Sequence, residues 1–235
     1  IGENVNSPWD DYAPAVTANG TLFFTSRRPN PKRQDYWDDV YRVDHIERNW
    51  EKPVYLSEVI NTPESQGAIS ISPDGRTLYL ALCQQPDGYG KCDIYIAEWN
   101  DKGTEWSKAR NLDNPEGADL RLKSIVDNFD QINTTYWESQ PSIAPDGRTL
   151  AYFSDADGEY QLVLRDLASN QARTLTRFTE GLRFKPQWSP DSRQIVFIDW
   201  RGDLHLVDAA SGARRVVMRT LQIRTMEPFD DLAAF

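Results

Sequence analysis

One short phrase recurs four times along the chain, and each copy joins a tight turn to an apolar strand. It reads A-N-G-T-L-F-F at Ala18–Phe24, S-P-D-G-R-T-L-Y-L at Ser72–Leu80, A-P-D-G-R-T-L-A-Y at Ala144–Tyr152 and S-P-D-S-R-Q-I-V-F at Ser189–Phe197. Asp and Asn side chains bond the nearby backbone, and Gly tolerates the positive φ that a tight reversal needs. Repetition of this length indicates an array, a solenoid or a propeller.

The residues around this phrase repeat in the same register. In the first two copies, Val5–Pro8 matches Ile60–Pro63 and Asp39–Val43 matches Asp93–Ala97. The third and fourth copies share a different second half, which carries a hairpin signal between the last two strands. The unit is therefore four short strands with a turn between the first two. Four-stranded units at this period are typical of propeller blades.

The composition of the strands favours stacked blades over an open sheet. Leu78–Leu82 and Ile195–Ile198 are continuous apolar runs. Such runs predict burial on both faces, as in a blade between two neighbours, whereas the strands of a β-sandwich would alternate. The sequence thus predicts an all-β protein, a β-propeller of four-stranded blades.

Four complete blades and the start of a fifth are expected within a single domain, 1–235. The blades span about 5–56, 60–112, 132–178 and 182–221, and the segment 227–235 reads as the first strand of a fifth. We therefore expect the blades to belong to a ring of six or more, although rings of four to eight blades exist.

An insertion at 114–131 interrupts the repeat between the second and third blades. Apolar residues recur at helical spacing within it, at Leu122, Ile125, Val126 and Phe129. This spacing predicts a short helix near 117–130, and an irregular rim loop is the alternative.

The two cysteines are placed to form a disulfide. Cys83 ends one predicted strand and Cys92 begins the next, so the pair brackets the loop 84–91. Facing positions of an antiparallel hairpin are within bonding reach. Such a bridge would stabilise the fold by roughly 2–3 kcal/mol and indicate an oxidising compartment. Two free thiols in a cytosolic protein are the alternative.

Acidic residues stand at the start of the predicted inner strands, and they are Asp10, Asp11, Glu64, Glu138 and Asp230. Inner strands converge on the axis of a propeller. These carboxylates would then surround the axial mouth and bind a basic peptide segment or a structural cation. The alternative is that they cap neighbouring strands or pair with arginines.

A basic loop between the second and third strands of blade one stands out in this acidic chain. Its cationic residues are Arg27, Arg28, Lys32 and Arg33. One interpretation is a docking loop for an acidic partner. The other is a solvated hairpin tip.

The remaining composition excludes several classes of function. A net charge of −10 argues against a nucleic-acid partner, because phosphate binding needs a basic face. The sequence contains no run of 18 apolar residues, which is the length that would predict a membrane span. The isolated histidines, His45 and His205, are interpreted as surface residues, and the sequence shows no pair of nucleophile and base. We therefore predict no catalytic residue, no metal and no cofactor.

The turns, the I-N-T lead-in at Ile132–Thr134 and the D-I-Y strand at Asp93–Tyr95 resemble the TolB-like propeller repeats of bacterial cell-envelope proteins. The resemblance covers essentially the whole chain. Val5–Leu112 looks most like the propellers that accompany OmpA-like peptidoglycan-binding domains. Ser139–Phe235 is more similar to TolB and to the N-terminal propellers of Tricorn-type proteases.

This resemblance implies a non-catalytic scaffold in the periplasm or otherwise outside the cytoplasm, with a protein or peptide segment as its partner. It also implies an alternative function. In that alternative the chain is the substrate-gating propeller of a Tricorn-like serine protease whose catalytic domain is absent from this chain.

Overall fold

The computed structural model describes residues 1–30, 37–46, 49–61, 66–100, 102, 104–114 and 132–220, and the regular elements in these ranges are all β-strands. Four antiparallel sheets follow one another along the chain, and each sheet is one propeller blade. The prediction of an all-β propeller with four-stranded blades is confirmed.

Blades one and two occupy the first half of the chain. Blade one contains, from its inner edge outwards, β1 (Asp11–Val16), β2 (Leu22–Ser26), β3 (Asp39–Val43) and β6 (Val54–Tyr55), and a hairpin of β4 (His45–Ile46) and β5 (Asn49–Trp50) is attached to it. Blade two contains β7 (Gln66–Ile71), β8 (Thr77–Cys83), β9 (Cys92–Asn100), β10 (Glu105–Trp106) and β11 (Arg110–Asn111). Both β10 and β11 pair with the long strand β9.

Blades three and four are regular four-stranded meanders. Blade three contains β12 (Glu138–Ile143), β13 (Thr149–Ser154), β14 (Gln161–Asp166) and β15 (Ala172–Thr174). Blade four contains β16 (Arg183–Trp188), β17 (Gln194–Asp199), β18 (Leu204–Asp208) and β19 (Arg214–Met218).

The repeated phrase forms the turn between the first two strands of each blade. Gly75 and Gly147 both have φ of 72°, and Ser192 takes the same place in blade four with φ of 59°. The carboxylate of Asp74 accepts a hydrogen bond from the backbone of Arg76. These are the left-handed backbone and the local side-chain bond that the sequence predicted for a tight reversal.

Adjacent blades share apolar cores that lie between their sheets. Phe23 and Val40 of blade one pack with Ile71 of blade two in one such core. A second core joins blades two and three, and a third joins blades three and four. The inner strands contact one another in series, from β1 to β7, β12 and β16. The array is therefore held together by successive sheet-on-sheet contacts.

Burial of the apolar strands differs between the blades. Leu78–Leu82 is buried along its whole length, as the continuous apolar run predicted. In β17 the same prediction is wrong, because burial alternates: Ile195 and Phe197 are fully buried, whereas Ile198 is 37% exposed. Ile195 and Phe197 face blade three. None of the described blades packs on the other face of blade four, which explains the alternation.

Each inner strand carries a β-bulge near its middle. The register shifts at the equivalent place in β1, β12 and β16, and a residue with left-handed φ lies at each shift. These residues are Ala13 (50°), Gln140 (53°) and Lys185 (57°). The same bulge thus recurs in β1, β12 and β16, and β7 has a register shift at the equivalent place.

Two predicted elements fall on residues outside the described ranges. They are the helix near 117–130 and the strand at 227–235, and both remain predictions. Across the described ranges, no helix has the length and apolar character needed to cross a membrane.

Candidate functional site

The inner strands begin at one face of the propeller, here called the mouth face. It consists of the starts of β1, β7, β12 and β16 together with the loops that join the second and third strands of each blade. The pairing register shows this arrangement, because Asp11 lies opposite Ser26 and Glu138 lies opposite Ser154, at the ends of the second strands. The described residues of the predicted acidic and basic sites lie at this face, and they are Asp10, Asp11, Glu138, Arg27 and Arg28.

Large apolar side chains are exposed at the mouth face on three blades. Their exposed fractions lie between 42% and 53%, and the residues are Trp9, Trp37, Tyr136, Leu182 and Trp200. Each lies one or two residues from a strand end at this face. Aromatic side chains are enriched in protein interfaces, and several large apolar groups on one face are typical of interaction sites.

Two of the predicted acidic residues bind the segments that lead into their own strands. Asp11 accepts hydrogen bonds from the backbone and hydroxyl of Ser7, at 2.6 and 2.9 Å. Glu138 accepts the equivalent pair from Thr134, at 2.8 and 2.7 Å, and a third bond from Ser154 at 2.9 Å. These carboxylates therefore cap the segments that precede their own strands. This agrees with the alternative interpretation of the acidic residues as local caps.

The same two carboxylates differ in the balance between burial and hydrogen bonding. Burial raises the pKa of Glu138 to about 7, even though its hydrogen bonds oppose that shift. Burial also acts to raise the pKa of Asp11, but hydrogen bonds from Ser26, Arg28 and Ser7 outweigh it and lower the pKa. Of these two carboxylates, Glu138 is therefore the one that changes its charge near neutral pH.

The acidic and basic sites meet on blade one. Arg27 lies 3.7 Å from Asp10 and 2.8 Å from Asp38, and Arg28 lies 2.8 Å from Asp11. Glu64 and Asp230 of the acidic set lie outside the described ranges, as do Lys32 and Arg33 of the basic set. Over the part of the chain that the structure describes, no three His, Cys, Asp or Glu side chains form a group that could hold a metal ion.

Arg28 is held in place by several contacts. Its guanidinium donates to the carbonyl of Val5 at 2.7 Å and lies over the rings of Phe24 and Tyr41, 5.1 and 4.9 Å from their centroids. Its side chain is 16% exposed. Arg28 therefore anchors the N-terminal lead-in on blade one, whereas Arg27 is the more accessible of the two arginines.

The position of Glu138 is occupied in blade four by Arg183, a residue that was not predicted from the sequence. Arg183 starts β16, is 3% exposed and stacks over the ring of Phe178 at 3.8 Å. It donates to the carbonyl of Tyr160 at 3.1 Å and so joins blades three and four. Aligning the four turns places this arginine at the acidic position, and that alignment was the signal that could have revealed it.

The prediction that both histidines are surface residues is wrong for His205. His205 is buried, stacks on Phe197 with centroids 5.1 Å apart, and lies between Asp199 at 2.9 Å and Arg214 at 2.8 Å. The pKa of Asp199 is lowered, because the bond from His205 and backbone bonds outweigh burial. His45 is exposed, as predicted. The Asp–His–Arg arrangement is a structural clamp between strands of blade four.

The predicted disulfide is present between Cys83 and Cys92, which lie opposite each other in β8 and β9. The loop that it closes reaches the mouth face, where the backbone of Lys91 donates to the carbonyl of Tyr136 on blade three at 3.3 Å. The buried carboxylate of Asp93 accepts backbone bonds from Tyr89 and Gly90 in this loop. Burial raises the pKa of Asp93 to about 7.

Comparison with known sequences gives two partial relatives, and no family model matches the chain. The chain is 38% identical over 71 residues to the uncharacterized peptidase YuxL of Bacillus subtilis. This match covers 30% of the present chain and 11% of YuxL. The chain is also 34% identical over 71 residues to the Tol-Pal system protein TolB of Chromobacterium violaceum. This match covers 29% of the present chain and 16% of that TolB. The matched region is a small part of each relative.

Solved structures with the same fold cover nearly all of this chain. TolB of Acinetobacter baumannii matches 92% of it with a TM-score of 0.58 and 16% identity, and the match spans 45% of that protein. A nidogen/laminin complex matches 88% with a TM-score of 0.55 and 15% identity, over 64% of the matched chain. The tricorn protease matches 90% with a TM-score of 0.50 and 18% identity, over 17% of its chain. At these identities the comparisons establish the fold.

Proposed function

In fold, the chain is a TolB-like β-propeller, and we propose that it is a non-catalytic scaffold that binds another protein or a peptide segment at its mouth face. The observation that supports this proposal is the exposure of Trp9, Trp37, Tyr136, Leu182 and Trp200 at that face. Fold alone does not specify a function, whereas an exposed aromatic surface is a specific feature of this chain.

The exposed side chains have the chemistry of interface anchors. Trp and Tyr bury a large apolar area while ordering few rotatable bonds, and they dominate binding energy in many interfaces. Trp200 is stacked by Arg201 at 4.7 Å, and Arg201 is itself paired with Glu180 at 2.9 Å. A side chain ordered in advance in this way loses less entropy when a partner covers it.

The charges around the anchors fit a polar rim. Arg27 is paired with Asp38, and its second acidic neighbour, Asp10, is mostly exposed. Opposite charges are therefore interspersed across this face. A protein partner is compatible with such a surface, whereas a net charge of −10 disfavours nucleic acid.

A location outside the cytoplasm is part of the proposal. The Cys83–Cys92 disulfide supports it, because disulfides persist in oxidising compartments. The partial match to a protein of the Tol-Pal system is consistent with the cell envelope.

The test is site-specific photo-crosslinking in the native compartment, followed by affinity measurements with the partner that is captured. We expect crosslinks from probes at Trp9 and Tyr136, and none from Val54, which is 63% exposed on an outer strand. Trp9→Ala and Tyr136→Ala should each weaken binding of the purified partner about tenfold or more. Val54→Ala should not change binding.

Two results would overturn the proposal. One is a partner that crosslinks only through Val54. The other is hydrolysis of a peptide or glycan by the purified chain that a point substitution in this chain abolishes.

A second candidate function is favoured by the partial match to a peptidase. In it the propeller gates substrate access to a serine protease domain outside this chain, as the similarity to the tricorn protease also suggests. Sequencing the gene beyond the codon for Phe235 tests it. A PDZ and protease region there supports gating, whereas an OmpA-like or lipoprotein context supports the scaffold.

A further inference from the structure

The mouth end of blade four presents a large aromatic side chain in a different way from blades one and three. In those two blades an exposed aromatic residue lies two residues before the inner strand, and these residues are Trp9 and Tyr136. The same position in blade four is Gly181. The exposed aromatic residue there is Trp200, which directly follows the second strand of the blade. Blade four therefore has its anchor at the same end as the other two blades, but the anchor comes from the neighbouring strand.

The glycine makes room for the ring of Trp200. A β-carbon added at Gly181 would lie 2.0 Å from Cδ1 and 2.0 Å from Nε1 of Trp200, far inside van der Waals contact. Gly181 also has φ of 82°, in the left-handed region that favours glycine. The close approach of the ring to the backbone explains why this position carries glycine where blades one and three carry an aromatic residue.

A buried arginine holds the segment that contains this glycine. Arg183 donates hydrogen bonds to the carbonyls of Glu180 and Gly181, and to that of Tyr160 at 3.1 Å. Its guanidinium lies 3.8 Å from the centroid of the Phe178 ring. A planar guanidinium bonds two successive carbonyls in one fixed geometry. Arg183 thereby fixes the backbone beneath Trp200 against blade three.

The loop that carries Trp200 is restrained as well. The backbone N–H of Trp200 donates to the carbonyl of Leu182 at 2.9 Å. The carboxylate of Asp199 accepts backbone hydrogen bonds from Arg201 and Asp203, at 2.9 and 3.0 Å. Trp200 thus lies between two restrained backbone segments, so that less conformational entropy is lost when a partner covers it.

Trp200 and Leu182 form an apolar surface with a polar rim, here called the blade-four subsite. Both side chains are exposed, and the adjacent charges of Arg201 and Glu180 pair with each other. An apolar surface whose neighbouring charges cancel fits an apolar side chain better than a charged one. We propose that the blade-four subsite receives an apolar side chain of the protein partner, and that Arg183 is the positioning residue of this subsite. The inference rests on the proposed function of the mouth face.

Fluorine NMR of protein labelled with fluorotryptophan tests the positioning without the partner. Trp200→Phe assigns the resonance of Trp200. We expect Gly181→Ala to shift and broaden this resonance, because the added methyl group displaces the ring. Gly147→Ala is the matched control, since Gly147 also has a positive φ, of 72°, but a β-carbon there meets nothing within 4 Å. The control should leave the Trp200 resonance unchanged.

Arg183→Lys tests the arginine itself. Lysine keeps the charge but lacks the planar fork that bonds two carbonyls. The Trp200 resonance should therefore shift or broaden, while those of Trp50 and Trp106 in blades one and two stay in place. An arginine that only joined blades three and four would lower stability without changing the Trp200 resonance of the folded protein. If Arg183→Lys does not fold, Gly181→Ala still decides whether this backbone segment positions Trp200.

Photo-crosslinking from a probe at position 182, in the native compartment, tests the contact with the partner. We expect Gly181→Ala to reduce the yield of crosslinked product about tenfold, and Gly147→Ala to leave it unchanged. An unshifted Trp200 resonance in Gly181→Ala would overturn the positioning, and equal crosslinking in the two glycine variants would overturn the subsite. Crosslinks from positions 9 and 136 without any from 182 would overturn the subsite alone. Absence of crosslinks from all three positions would overturn the proposed function together with it.

Discussion

The side-chain amide of Asn133 bonds both backbone polar groups of Ile94, which lies in the third strand of the preceding blade. Ile94 N donates to Asn133 Oδ1 at 2.6 Å, and Asn133 Nδ2 donates to the carbonyl of Ile94 at 2.9 Å. Asn61 makes the same two bonds with Val40, at 2.7 and 3.0 Å. Both asparagines are buried. Each of these two asparagines thus attaches the segment before its inner strand to the preceding blade. Its side-chain amide makes the backbone hydrogen bonds that a neighbouring strand would otherwise make.

We expect Asn133→Ala to lower the free energy of unfolding by about 1–3 kcal/mol, because the buried N–H of Ile94 loses its acceptor. Urea denaturation measures the change. The matched control is Asn6→Ala, since Asn6 holds the same place in the repeat but is exposed. Its effect should stay within about 0.5 kcal/mol, and equal losses in both variants would contradict the prediction.

Stability should also depend on pH in the range where two buried carboxyls titrate. Burial raises the pKa values of Glu138 and Asp93 to about 7, above their ordinary values of 4.5 and 3.8. The folded state therefore binds these protons more tightly than the unfolded state. As a result, the free energy of unfolding should fall as the pH rises from about 5 to 7, by up to about 1.4 kcal/mol per pH unit for each carboxyl.

Urea denaturation at pH 5, 6, 7 and 8 measures this slope, and Glu138→Gln should make it shallower. Asp11→Asn is the control, because the pKa of Asp11 is lowered and the stability that its charge contributes is lost only at more acidic pH. An unchanged slope in Glu138→Gln would contradict the assignment of this carboxyl.

The features that the sequence predicted well are those encoded locally. The turn at Pro73–Gly75 needs only its own Asp and Gly, so its repetition located the blades and their strands. The disulfide was predictable for the same reason, since Cys83 and Cys92 bracket one hairpin.

Features that depend on neighbouring blades were harder to predict. The apolar run in β17 resembles that in β8, yet its burial alternates because burial depends on what lies against each face. His205 lies between Leu204 and Leu206, and strand alternation turns its side chain away from them, towards blade three. Arg183 was missed because its position carries an acid in blades one and three.

Reduction of the disulfide should lower the melting temperature without unfolding the protein. The bridge closes a short loop, and its loss should cost about 2–3 kcal/mol, or about 4–12 °C in a chain of this size. Asp93 still holds Tyr89 and Gly90, so blade two should remain assembled. Differential scanning calorimetry with and without reductant tests this, and Cys83→Ser with Cys92→Ser should be insensitive to reductant. A wild-type transition that reductant does not shift would contradict it.

The bulges of the inner strands give a final pair of variants with opposite expectations. Ala13 and Gln140 occupy equivalent positions with φ of 50° and 53°, where glycine relieves the left-handed strain of an L-residue. Ala13→Gly should therefore leave the free energy of unfolding unchanged or raise it, by no more than about 1 kcal/mol. Gln140→Gly should lower it by about 1–2 kcal/mol, because Gln140 joins blades three and four through the carbonyl of Arg183 at 3.2 Å and the N–H of Lys185 at 2.7 Å. Equal effects of the two glycines in urea denaturation would show that the side-chain bridge of Gln140 contributes nothing to the junction.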